Sequence, residues 1–120
     1  MLNLDTHVLI DAVRDTLPSS ESALLRNDEW SISSIVFWEI AKLVQFERID
    51  FDFDDRDVAR VVEQLHIWPI DPAVAKTSTQ LDFHSDPADE LIAATSIVYG
   101  VPLVTRDRVI RQSKLVPLAT

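Results

Sequence analysis

Four carboxylates carry most of the chemistry this chain can offer: Asp5, Glu39, Asp89 and Asp107. Each stands close to the point where a short apolar run gives way to a helical pattern. Asp5 ends the run that begins at Leu2, and Asp107 follows Val101 to Thr105. Glu39 lies one turn into the helix after Trp30 to Ser33, and Asp89 near the start of the apolar helix leading to Val101. One acid at a helix N-terminus is ordinary, because free backbone N–H groups and the helix dipole favour it there. Asp86, Asp89 or Asp107 taken singly need be no more than a cap or a first-turn acid. Four acids converging on one edge would repel one another strongly away from bulk water. Hard divalent cations relieve that repulsion, and Mg²⁺ and Mn²⁺ prefer oxygen ligands. Glu39 adds to the case, since it interrupts the apolar stretch Phe37-Trp38-Glu39-Ile40-Ala41. A charge there is costly unless paired or ligated. The alternative is that its neighbours line the core while Glu39 points outward.

The elements that must position these acids alternate between strand and helix. Leu2 to Asp5 reads as a strand, and Thr6 starts an amphipathic helix through Val8, Leu9, Ala12 and Val13. After a break at Leu17 to Ser20, with Ser20 as the expected cap, a second helix runs through Leu24 and Leu25. Trp30 to Ser33 is a strand. From Ser34 a helical period places Val36, Ile40, Leu43, Val44 and Phe46 on one broad face. A helix from about Asp57 to Leu65, a strand from Ile67 to Ile70 and a helix from Ala73 to Leu81 follow. His84 to Pro87 is an acidic turn before the apolar helix Ala88 to Tyr99, which Gly100 closes as a C′ residue of positive φ. Val101 to Thr105 is a strand, Arg106 to Ser113 a helix, and Leu115 to Leu118 a last short strand. Strands separated by helices imply a parallel sheet covered on both faces, in an α/β fold. Ligands then bind beyond the carboxyl ends of the strands.

Composition narrows the choice of function. The chain has 120 residues, enough for one domain spanning 1–120. With no cysteine, disulfides, thiolate zinc sites and cysteine nucleophiles are excluded, which suits a reducing cytoplasm. A single glycine excludes the Walker and dinucleotide phosphate loops. No apolar stretch approaches the roughly 20 residues that cross a bilayer, and the start of the chain lacks a secretory pattern, so no membrane association is expected. The net charge of −9 argues against a nucleic-acid partner unless bound cations offset the acids. Arg106, Arg108, Arg111 and Lys114 cluster after the last acid and could hold RNA phosphates, or simply form a solvated helix face. Lys42, one turn after Glu39, could do the same or pair with that acid. His7, His66 and His84 have no ligand spacing and read as surface or packing residues. Trp30, Trp38 and Trp68 read as core or interface residues, with base stacking on one of them as the alternative.

Leu4-Asp5-Thr6-His7-Val8-Leu9, Ile32-Ser33 with Trp38-Glu39-Ile40-Ala41-Lys42-Leu43, Asp86-Pro87-Ala88-Asp89-Glu90-Leu91-Ile92-Ala93-Ala94-Thr95 and Leu103-Val104-Thr105-Arg106-Asp107 resemble, in order, the motifs of PIN-domain ribonucleases. The resemblance is greatest to the VapC-type toxins of toxin–antitoxin pairs. It implies a three-layer α/β/α sandwich around a central parallel sheet. It also implies Mg²⁺- or Mn²⁺-dependent endonucleolytic cleavage of RNA, with Asp5, Glu39, Asp89 and Asp107 as catalytic metal ligands. Thr105 matches a hydroxyl residue that orients the site, and Asp86 and Thr6 match supporting positions. The partners implied are an RNA substrate, a cognate antitoxin that occludes the cleft, a second copy of the chain in a homodimer, and operator DNA through the antitoxin only. Two positions depart from the pattern: Glu47 stands where many relatives carry Gly, and Glu90 where many carry Arg.

Two rival readings use the same residues. A phosphotransfer or phosphatase domain would make Asp5 a nucleophile, but a dehalogenase-like site wants a second Asp where His7 stands. A receiver-like site wants an acidic pair near the first strand and a Lys after the last, and Lys114 is off that position. The other rival is a non-catalytic module that binds a partner helix through exposed apolar surface.

Overall fold

The computed structural model describes residues 1–120. Four strands, β1 (Leu2–Leu4), β2 (Trp30–Ser33), β3 (His66–Trp68) and β4 (Leu103–Val104), form one sheet in the order β3-β2-β1-β4. Every pairing is parallel, with Asn3 opposite Ser31 on one side and opposite Leu103 on the other. Seven helices connect and follow the strands: α1 (Thr6–Arg14), α2 (Ser19–Leu25), α3 (Ile35–Gln45), α4 (Arg56–Gln64), α5 (Pro72–Ser78), α6 (Pro87–Tyr99) and α7 (Arg108–Arg111). This is the α/β architecture expected from the alternating pattern.

The chain moves outward from β1 to β2 to β3, then returns across the sheet to lay β4 on the other side of β1. The direction of winding therefore reverses between β1 and β4. Such a switch point leaves a crevice beyond the strand ends, where neighbouring connections diverge. Asp5 follows β1 directly, and Thr105 and Asp107 follow β4. The topology by itself brings the two ends of the sequence to one crevice.

A single apolar cluster fills the interior, including Leu4, Leu9, Ile32, Ile40, Ile92 and Leu103. Alternation along β1 sends Asn3 to the opposite side from Leu2 and Leu4. The buried Asn3 amide donates to Ser96 Oγ of α6 at 2.9 Å, which fastens the first strand to that helix. The apolar character of α6 suits its setting, since Ala88, Ile92, Ala93, Ala94, Thr95 and Ser96 are all buried. Its small residues let neighbouring helices approach closely. Gly100 adopts φ 64° after its last turn, as its position demands.

Several boundaries differ from expectation. Ser19 and Ser20 lie inside α2, whose preceding residue is Pro18, so Ser20 is not its cap. The fifth helix stops at Ser78, because Thr79 and Gln80 form a turn whose N–H groups bond Lys76 and Thr77 carbonyls. Leu115 to Leu118 shrinks to a single parallel bridge between Leu118 and Leu103. On α3, Val36 and Ile40 are buried, whereas Val44 and Phe46 are exposed.

Candidate active site

The crevice is acidic because four elements end or begin there. Asp5, Glu39, Asp86, Asp89 and Asp107 line one cleft of about 440 Å³, together with His7, Arg48 and Arg106. Asp5, Glu39 and Asp89 come closest: one carboxylate oxygen from each lies within 4.8 Å of the others. Three separate helices, α1, α3 and α6, thus deliver one acid apiece to a common point.

Each of the three acids is held by a backbone or hydroxyl donor, some from nearby in sequence and some brought in by the fold. Asp5 caps α1, its Oδ1 accepting from the Thr6 N–H at 2.8 Å. Its Oδ2 accepts from Thr105 Oγ1 at 2.6 Å, across the gap to the end of β4. The Thr6 hydroxyl donates to Glu39 Oε1. Ser85 Oγ donates to Asp89 Oδ2 at 3.0 Å. Glu39 and Asp89 are half-buried and Asp5 is buried, so a charge here is poorly solvated.

The electrostatic consequence is a raised proton affinity. Burial pushes the Asp89 carboxyl up to about 6; the Ser85 hydrogen bond opposes this, and the charges of Asp5, Glu39 and Asp107 add to it. The Glu39 carboxyl is raised as well, first by burial, then by Asp5 and Asp86, against the hydrogen bond from Thr6 and the nearby His7. No side-chain amine or guanidinium forms an ion pair with Asp5, Glu39 or Asp89. An all-oxygen, anionic donor set within 4.8 Å suits Mg²⁺ or Mn²⁺.

Asp107 borders the same cleft but stands outside the tight group of three. Its Oδ1 caps α7, accepting from Val109 N–H at 2.8 Å and Ile110 N–H at 3.2 Å. Asp86 is exposed at the rim and precedes Pro87 as the N-cap residue of α6, without a side-chain capping bond. Thr105 Oγ1 accepts from the Asp107 N–H at 3.1 Å while donating to Asp5.

The basic residues are arranged differently from the expected phosphate grip. Arg106 borders the cleft, but its guanidinium is committed to Glu21, at 2.6 and 2.7 Å, and to Asp11, at 2.8 Å. These acids lie on α1 and α2, far off in sequence. Arg111 lines a separate pocket and donates to the Thr105 carbonyl at 3.1 Å. Arg108 is exposed on α7. Lys42 lies in an adjoining groove beside Trp38, donating to Gln45 Oε1 at 3.0 Å. Two cleft residues lacked a sequence signal. His7 faces the cleft from the exposed side of α1, and Arg48 reaches it after the left-handed turn at Glu47.

Comparison with known proteins follows the same lines. The PIN domain family model matches residues 3–114. The chain is 34% identical over 118 residues to ribonuclease VapC22 of Mycobacterium tuberculosis, covering 92% of this chain and 90% of that protein. Among solved structures, FitAcB from Neisseria gonorrhoeae superposes with a TM-score of 0.70 at 22% identity, covering 100% of this chain and 97% of that one. VapBC2 from Rickettsia felis, bound to a DNA fragment from its promoter, gives a TM-score of 0.69 at 20% identity over 99% and 98% of the two chains. Both share the fold built here from four parallel strands and their helices. The chain belongs to the PIN domain family, and within it to the VapC type.

Proposed function

We propose that this chain is a metal-dependent endoribonuclease that acts as the toxin of a toxin–antitoxin pair. The observation that carries the reading is the meeting of Asp5, Glu39 and Asp89 within 4.8 Å, with no basic side chain paired to them. Asp5, Glu39 and Asp89 would hold Mg²⁺ or Mn²⁺, with Asp107 at the edge of the site. Bound there, the cation would lower the pKa of a water and stabilise charge on the phosphate.

The chain's own residues do the positioning. Thr105 and the Thr6 N–H fix both Asp5 oxygens, so that carboxylate presents its remaining lone pairs in one direction. Thr6 orients Glu39, and Ser85 orients Asp89. Such outer bonding sets ligand geometry and tunes affinity. Asp86 adds a negative charge at the rim of the cleft.

The similarity to VapC22 and to structures of toxin–antitoxin complexes supports a cognate antitoxin as partner and contact with operator DNA through it. A homodimer and a cytoplasmic site of action belong to the same proposal. The decisive assay incubates the purified chain with single-stranded RNA in Mg²⁺, in Mn²⁺ and in chelator. Cleavage in either ion, lost in chelator and in Asp5→Asn and Asp89→Asn, is expected. Cleavage that survives both substitutions would rule the reading out.

A further inference from the structure

Beside the acidic cleft lies a second hollow of about 370 Å³, lined by Trp38, Lys42, Phe46, Arg48 and Pro87 among others. The two share Glu39, Leu43, Arg48 and Asp86, so they form one continuous depression. Trp38 precedes Glu39 directly, yet it is 54% exposed, and Phe46 is 65% exposed. A tryptophan normally contributes its large apolar area to a core or an interface. Here α3 turns Glu39 toward the acids and leaves the neighbouring indole at the opening of the adjoining hollow.

The surrounding charge identifies what would fit. Lys42 Nζ lies over one face of the Trp38 ring, 5.8 Å from its centroid, and its one hydrogen-bond partner is the neutral Gln45, so it has no acidic partner. Arg48 has no acidic partner. On the other flank the Arg106 charge is already paired with Glu21 and Asp11. In a chain of net charge −9, the cations free to meet phosphate at this cleft therefore lie on the Trp38 side. An exposed aromatic face flanked by two free cations is the combination that binds single-stranded nucleic acid, by base stacking and phosphate contact.

Resting on the nuclease reading above, we propose that this hollow is the subsite for the nucleotide next to the scissile phosphate. Trp38 stacks on its unpaired base, and Lys42 and Arg48 hold its backbone. The RNA strand leaves the acids toward α3 and the Glu47 turn, not toward α7.

The test is a cleavage assay on a short single-stranded RNA cut at one place, with each flanking nucleotide replaced in turn by an abasic one. In the wild-type chain one abasic position should slow cleavage roughly tenfold, within the range a single stacked base supplies. Trp38→Ala should cut the intact RNA about as slowly and be insensitive to that abasic position, while Trp38→Phe keeps most of the effect. Lys42→Ala and Arg48→Ala should each lower the salt dependence of binding by about one ion, and Arg106→Ala should not. An abasic profile in Trp38→Ala identical to wild type overturns the proposal and leaves the nuclease reading standing. Unchanged RNA cleavage with at least tenfold weaker antitoxin binding in Trp38→Ala also overturns it, marking a protein-docking surface. If the wild-type chain cuts no RNA, the nuclease reading fails by itself. Quenching of tryptophan fluorescence by the oligonucleotide then decides whether Trp38 stacks on a base: quenching in wild type that is lost in Trp38→Phe supports the stacking, and quenching absent in wild type or retained in Trp38→Phe overturns it.

Discussion

The Thr105 hydroxyl bonds the Asp5 carboxylate at 2.6 Å, although the two residues are 100 positions apart in sequence. It also accepts the Asp107 N–H at 3.1 Å, so one side chain spans the gap between the ends of β1 and β4. Thr105→Val keeps the shape and removes both bonds, leaving buried polar groups unsatisfied. A loss of about 1–3 kcal/mol in unfolding free energy is expected. Mn²⁺ affinity should fall about 10–100-fold, the usual cost of losing an orienting partner. Thr105→Ser should restore most of both. Calorimetric titration and chemical denaturation measure the two effects separately.

The raised Asp89 carboxyl has a definite sign in stability. Its folded pKa of about 6 lies above that of the unfolded chain. Between roughly pH 4 and 6 the folded state therefore holds more protons, and stability falls as pH rises through that window. Partial exposure limits the effect to about 1–2 kcal/mol. Without divalent ions, Asp89→Asn should be more stable than wild type at pH 7 and lose that advantage near pH 4. Saturating Mg²⁺ should erase the difference by favouring the ionised site. Denaturant midpoints across pH, with and without Mg²⁺, check this.

Asp107 has two separable roles, charge beside the cleft and cap of α7. Asn is as good a cap as Asp, whereas Ala is poor. Asp107→Asn should stay within about 0.5 kcal/mol of wild type, and Asp107→Ala should lose about 1 kcal/mol. If the charge is what the reaction uses, both variants lose RNA cleavage to a similar degree. Full activity in Asp107→Asn would limit the residue to its cap.

Glu47 occupies the left-handed C′ position of α3 with φ 57°. The bonds from Glu47 N to Val44 O and from Arg48 N to Leu43 O, at 3.0 and 2.9 Å, form a Schellman closure. The helix therefore closes as a glycine would close it, despite the different residue. A non-glycine residue pays about 1 kcal/mol for this conformation. Glu47→Gly should raise the unfolding free energy by roughly 0.5–1 kcal/mol, after the entropy that glycine adds to the unfolded chain. Thermal denaturation is the measurement, and a lower Tm would contradict the account.

The same residues show what a sequence can and cannot convey. Period and punctuation located β1, α1, α3 and α6, because their apolar faces and the Gly100 stop are local signals. Asp5, Glu39 and Asp89 could be grouped because parallel topology sends successive strand ends to one edge. The commitment of Arg106 was not legible, because Glu21 and Asp11 reach it only after α1 and α2 have folded back. Arg48 was missed for a similar reason: its direction depends on a left-handed turn that a glutamate does not advertise. Trp38 read as core or interface without a choice between them, since an aromatic at helical spacing gives no hint whether its side of α3 is covered.

Because winding reverses between β1 and β4, neither half of the sequence contains the whole cleft. Asp5 is synthesised well before Asp89, Thr105 and Asp107. A growing polypeptide on the ribosome carries Asp5 and Glu39 before Asp89 exists to join them. The cluster of three acids cannot close until α6 has been made.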